Sequence, residues 1–131
     1  MIVPNETINL SMYGEDFELG IEVQKYTYGG GLALFLHCME NMEPVEPFAD
    51  ITKNLAGYPT SGFKAFVDTN NFPQVTELIS EFDLGKLTGR VGCSGFCTYP
   101  EIDFNMKSVE KYVLNKDMFD KIMSERSGVE R

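Results

Sequence analysis

The run Thr88-Gly89-Arg90-Val91-Gly92-Cys93-Ser94-Gly95-Phe96-Cys97-Thr98-Tyr99-Pro100 sets one arginine, two cysteines and one tyrosine among three glycines. Thiols can act as nucleophiles or soft metal ligands, and a guanidinium can hold an anion. Cys93 and Cys97 stand four apart. Structural zinc sites usually pair cysteines more tightly and add a second pair or histidines. The remaining soft ligands are Cys38 and His37, and neighbours on a strand point to opposite faces, so no metal site is expected. A cysteine nucleophile also wants a histidine base. His37 is the one histidine and sits in an apolar run, where it reads as a packed or edge residue. The thiols therefore read as small buried groups, and a Cys93–Cys97 disulfide would need an oxidising compartment. Gly89, Gly92 and Gly95 spell G-x-x-G-x-x-G, neither the dinucleotide fingerprint nor a phosphate loop. They are expected to take positive φ in a tight loop. No catalytic residue and no cofactor is assigned.

Asp68-Thr69-Asn70-Asn71 offers oxygen ligands, but the same residue types make turns and cap helices. Joined with the first segment, it gives a candidate ligand site of Asp68, Asn70, Asn71, Arg90, Cys97 and Tyr99. Carboxylate chemistry could draw on Asp68, Glu101 or Asp103, yet no spacing selects a pair. A third group is Asp16, Glu18 and Glu22. On a strand, alternate residues are spaced by about 6.7 Å. With Glu15, Glu40, Glu43 and Glu46 near in sequence, this ladder could imitate a row of phosphates; otherwise it is a solvated strand face.

These groups belong to a chain of 131 residues with net charge −9. That length suits one domain with its own core. The acidity argues against direct nucleic-acid binding, which needs a basic footprint. Residues 1–52 hold nine acids and one base, while residues 53–131 hold eleven acids and ten bases. Nearly all the excess charge is therefore N-terminal. The first 30 residues show no basic start before an apolar core, and Leu32–Cys38 is too short to span a membrane. Reduced thiols in a cytoplasmic protein are expected.

The elements that must position these groups follow from periodicity. Ile8, Leu10 and Met12 alternate with polar residues, and so do Phe17, Leu19, Ile21 and Val23. With a turn at Tyr13–Glu15 they predict an amphipathic hairpin with a carboxylate-lined outer face. Leu32–Leu36 is apolar on both faces, as in a central strand. Glu43–Pro47 reads as a turn, Phe48–Leu55 as a fourth strand, Gly57–Gly62 as a loop and Lys64–Asp68 as a fifth strand. Val75, Leu78, Ile79 and Phe82 predict a helix capped by Asn71 or Phe72 and stopped by Gly85. The glycine-rich segment then reads as a loop before a last strand at Ile102–Asn105. Asn115 is expected to start a second helix carrying Met118, Phe119, Ile122 and Met123, and residues 126–131 a frayed tail. The expected fold is α+β: one antiparallel sheet of about five to six strands with one or two packed helices.

Phe66-Val67-Asp68-Thr69-Asn70-Asn71, Thr88-Gly89-Arg90 and Ser94-Gly95-Phe96-Cys97-Thr98-Tyr99-Pro100 together carry a likeness, with Gly31–Leu34 and Phe104-Asn105 in support. Across roughly residues 7 to 120 the chain resembles a domain family of unknown function carried on conjugative transposons and prophages of Gram-positive bacteria. The resemblance implies an accessory protein of a mobile element and transfers no catalytic residues. The leading expectation is a non-enzymatic interaction module. It would meet a basic or DNA-binding protein partner through Asp16, Glu18 and Glu22, in the sharpest version by imitating nucleic acid toward a host defence or DNA-processing protein. The alternative is a small-ligand binder or enzyme with its site between the Asp68–Asn71 turn and the Cys93–Tyr99 loop.

Overall fold

The computed structural model describes Pro4 and residues 6–127. The first half is a meander. β1 (Ile8–Met12) and β2 (Glu15–Lys25) join through Tyr13 and Gly14, both at positive φ. Two-residue turns of that kind match the twist of a hairpin. β3 (Leu32–Glu40) and β4 (Glu43–Asp50) join likewise through Asn41 and Met42. The sheet order is β1-β2-β3-β4, all antiparallel. Leu19, Ile21 and Val23 oppose Cys38, Leu36 and Leu34, so one face of the pair is apolar.

Among the described residues, the expected single sheet is two sheets of four strands. The run Phe48–Leu55, read as one strand, breaks at Ile51 into β4 and β5 (Thr52–Lys53). Ile51 donates its N–H to Leu34 in the first sheet and accepts from the Asp68 N–H in the second. It is the point where the chain crosses between them. The second sheet has order β5-β6-β8-β7, with β6 (Lys64–Val67), β7 (Gly85–Ser94) and β8 (Cys97–Phe104). Glu43–Pro47, expected as a turn, instead opens β4. Proline is tolerated there because β4 is an edge strand that need not donate outward. The glycine-rich segment is a hairpin and not a loop, turning at Gly95 and Phe96.

Three helices occur among the described residues. α1 (Val75–Glu81) has Gln74 as its N-cap residue with no side-chain cap, so neither Asn71 nor Phe72 caps it. Its exit is at Asp83, φ +56, two residues before the predicted Gly85 stop. Gly85 serves another purpose: a Cβ there would lie 2.6 Å from Ile102 Cγ2 and 2.7 Å from the Asp103 carbonyl oxygen. α2 (Met106–Glu110) was not legible in the periodicity; Asn105 caps it by accepting from the Ser108 N–H. α3 (Lys116–Ser127) begins after Asn115, whose amide is bound to both the N–H and the carbonyl of Val23. The Tyr112–Leu114 segment runs parallel to Ile21 along the stretch of the β2 edge that β1 leaves uncovered. Arg126 donates to the carbonyls of Gly30 and Gly62, fixing the last turn of α3. The rest of the tail expected to fray, residues 128–131, lies outside the described residues.

One core joins all these layers. Ile8, Leu19 and Ile21, Leu34 and Leu36, Val67, Ile102, and Val75, Leu78, Phe119 and Ile122 from the helices are buried in it. No helix among the described residues is long and apolar enough to cross a membrane.

Candidate functional site

The face of the second sheet turned away from that core collects most of the predicted ligand-site residues. Lys53 opposes Phe66, Phe66 opposes Glu101, Gly92 opposes Tyr99 and Ser94 opposes Cys97. Opposed residues share a face, and period two adds Asp68 beyond Phe66. Gly92 is required here by close approach. A Cβ would lie 2.6 Å from Leu55 Cδ1 and 3.2 Å from both the Phe66 and Tyr58 rings. Leu55, Phe66 and Tyr99 form a second small core, with Tyr58 and Cys97 packed against it.

A bulge in β7 organises the charge on this face. Leu87 pairs with Ile102 and Val91 with Pro100, so Thr88, Gly89 and Arg90 stand opposite Glu101 alone. Extra residues in one strand re-aim side chains, and Gly89 at φ +94 makes this turn available. The Thr88 hydroxyl donates to Glu101 Oε1 at 2.8 Å and Arg90 Nη1 to Oε2 at 2.9 Å. Arg90 also donates to the Pro59 carbonyl, and its guanidinium lies 5.2 Å from the Phe66 ring centre. The Glu101 side chain is only 4% exposed and that of Arg90 42%. A buried carboxylate needs such partners.

The other candidates divide. Asp68 is buried and accepts from the Asn71 N–H and side-chain amide at 3.2 and 2.9 Å. It holds the turn that leads to α1. Asn70 is exposed. Burial first, then Cys97 and the Asp68 charge, raise the Tyr99 hydroxyl above its ordinary value. The structure thus places Asp68, Cys97 and Tyr99 together, brings the Arg90 guanidinium over the same face, and leaves Asn70 apart. Cys93 is exposed and not a buried thiol, because β7 is an edge strand. It is four residues from Cys97 across a tight turn, but its partner is Thr98 and it points to the opposite face. The two thiols are free, and that geometry does not suit a bridge. No cluster of three or more metal-ligating side chains occurs among the described residues.

The acidic residues gather elsewhere. In the β1-β2-β3-β4 meander the two hairpin turns lie at the same end of the first sheet. Glu15, Asp16, Glu18, Glu40 and Glu46 line one shallow depression there with Phe17, Cys38 and Val45. Glu43 sits opposite Glu40 on the same tip. Asp16 accepts from the Ser11 hydroxyl. None of these six carboxylates makes an ion pair among the described residues. Tyr13, 83% exposed, and Val45, 52% exposed, stand beside them. Burial and the neighbouring Glu46 raise the Cys38 thiol, which faces this end.

Glu22 does not belong to that free surface. It is half-buried, 2.8 Å from His37 Nε2 and 2.8 Å from the Gln24 amide nitrogen that donates to it. Burial alone would raise its carboxyl, but the Gln24 and His37 hydrogen bonds and the His37 charge outweigh that and hold it below 4.5. A lowered folded pKa adds stability above the unfolded value and loses it as pH falls through the folded one. The stability gap between the native chain and Glu22→Gln is therefore expected to shrink as pH falls below 4.5. Urea unfolding across that range checks it, and a gap independent of pH contradicts it.

Sequence reasoning also missed a pocket between the 26–31 turn and the 53–60 loop. Its signal in the sequence is Tyr26 and Tyr28 before the run Gly29–Gly31, and Tyr58 after Gly57.

No curated protein and no solved structure matches this chain. One family model does, over residues 20–128, described as a domain of unknown function (DUF4313). The match takes in both faces of the second sheet and all three helices, together with Glu40, Glu43 and Glu46, and leaves Glu15, Asp16 and Glu18 outside. With most of its 131 residues matched, the chain belongs to the DUF4313 family.

Proposed function

We propose that this protein is a non-enzymatic interaction module that holds a basic protein partner on the acidic end of its first sheet. The observation that carries this reading is the juxtaposition of the two hairpin tips. It brings Glu15, Asp16, Glu18, Glu40, Glu43 and Glu46 to one end without a basic partner among the described residues. Carboxylates so placed repel one another, and at physiological salt charges interact over about 8 Å. A cationic partner relieves that repulsion, and exposed Tyr13 and Val45 give it apolar contacts. Three groups able to do acid–base chemistry support the reading from the other side, because each is taken up by a neighbour. Glu101 is bound by Thr88 and Arg90, Asp68 by Asn71, and His37 by Glu22.

The expected ladder of Asp16, Glu18 and Glu22 becomes Asp16 and Glu18 joined by residues of the second tip, with Glu22 serving the fold. In the sharper form the end imitates a run of phosphates and occupies a host defence or DNA-processing protein on behalf of a mobile element. The test is a chain carrying Glu18→Lys, Glu43→Lys and Glu46→Lys. It is expected to keep its melting transition and lose its partner. A captured DNA-binding protein should release its DNA when the native chain is added; if it binds both at once, the mimicry form fails.

A further inference from the structure

The 26–31 turn and the 53–60 loop flank a half-open pocket of about 160 Å³ away from the acidic end, sharing Pro59 and Phe66 with the contacts of Arg90. Tyr26, Tyr28, Leu55, Tyr58 and Phe66 line it, with Lys53. That volume is close to the cavity of about 150 Å³ known to accept one benzene ring. The walls are fixed by the chain's own bonds. Asn54 donates its amide to the Tyr28 carbonyl at 3.0 Å, tying loop to turn. The Tyr26 hydroxyl and Thr52 Oγ1 are 2.7 Å apart. Arg126 clamps the Gly30 and Gly62 carbonyls from behind. Gly31 allows the close approach of Thr60, whose Oγ1 would lie 3.2 Å from a Cβ at that position. Binding sites are typically formed in advance in this way, with aromatic walls and few polar groups.

Two side chains give the pocket a preference. Tyr28 is 80% exposed, an aromatic face left in water beside an aromatic cavity. Lys53 makes no ion pair among the described residues, and its ammonium lies 5.9 Å from the Tyr99 ring centre. An ammonium without an ion-pair partner, at the wall of an aromatic pocket, favours a ligand that brings a negative charge. Among the described residues Lys53 is the one charged side chain lining the pocket, which matches one negative charge and not two. We propose that this pocket binds a small planar aromatic carboxylate, its ring between the tyrosines and its carboxylate at Lys53.

The test is an NMR titration of the full chain with benzoate, phenyl phosphate, cyclohexanecarboxylate and benzyl alcohol. Benzoate is expected to give saturable shifts at the amides of Tyr28, Lys53, Leu55 and Tyr58, ahead of the other three probes. Lys53→Met should weaken benzoate by about tenfold, the effect of one charge-assisted contact, and leave benzyl alcohol unchanged. Tyr28→Ala, at an exposed position, should weaken both while the amide spectrum stays dispersed; Lys53→Gln replaces Lys53→Met if that variant loses dispersion. Absence of saturable benzoate shifts at the pocket overturns the proposal, as does benzoate binding that ignores the loss of the lysine charge. Pocket signals that instead follow protein concentration, and cease to do so in Phe96→Ser, would give the cavity to the fully exposed Phe96 of a second copy and overturn it too.

Discussion

Replacing Arg90 with methionine is expected to cost about 3 kcal/mol of stability, the lower end of what breaking a buried pair costs. The reason is the asymmetry of the pair. Arg90 is half in water, but the Glu101 side chain is 4% exposed. Without the guanidinium, Glu101 keeps only the Thr88 hydroxyl, and a buried charge with one neutral donor is poorly compensated. The substitution also frees the Pro59 carbonyl, so the loop over Gly92 loses an anchor. For a domain this size the melting temperature should fall by roughly 10 °C. Adding Glu101→Leu to Arg90→Met should restore more than half of the loss, because the uncompensated charge is then gone. Urea unfolding of the two variants checks both statements. A loss under about 1 kcal/mol would place the pair among ordinary surface salt bridges.

Phe66→Ala is expected to cost more, about 4 kcal/mol, in the range for emptying an aromatic site. Phe66 is 1% exposed and stands where the small outer core is assembled. It meets Tyr58 edge-on with ring centres 5.9 Å apart, lies under Arg90, and limits what Gly92 can carry. Because Arg90 rests on that ring, the double variant Phe66→Ala/Arg90→Met should lose less than the two single losses added together, by about 0.5–1 kcal/mol. Strict additivity, measured by the same unfolding experiment, would show that the cation contributes nothing through the ring.

What the sequence made legible was local and periodic. Ile8–Met12 and Phe17–Val23 alternate cleanly, and they form β1 and β2. Leu32–Leu36 lies in β3, an interior strand with Ala33 and Leu34 both buried. The spacing of Phe119 and Ile122 correctly marks the buried side of α3. The α+β antiparallel class followed from those elements. The division into two sheets did not, because it turns on Ile51 exchanging backbone hydrogen bonds with both, and nothing in the type of one isoleucine announces that.

The glycine-rich segment misled for a definite reason. Glycines there meet two different needs: positive φ at the Gly89 bulge and the Gly95 turn, and close packing at Gly92. A strand containing such positions has no clean period to read. The sequence marks Arg90 as a ligand group but not its internal partner, since a bulge that sets two donors against Glu101 is invisible to spacing. The acidic end was half legible. Glu15 adjoins Asp16 in the sequence, but only the shared direction of two hairpin turns puts Glu40, Glu43 and Glu46 beside Asp16 and Glu18.

The most direct measurement on the acidic end is affinity capture with the full chain from lysate of its host, identified by mass spectrometry and repeated across a salt series. A basic partner that is held at low salt, released as salt rises through physiological strength and absent with the Glu18→Lys, Glu43→Lys, Glu46→Lys variant is the expected result. A partner retained equally at high salt and by the reversed variant would contradict it.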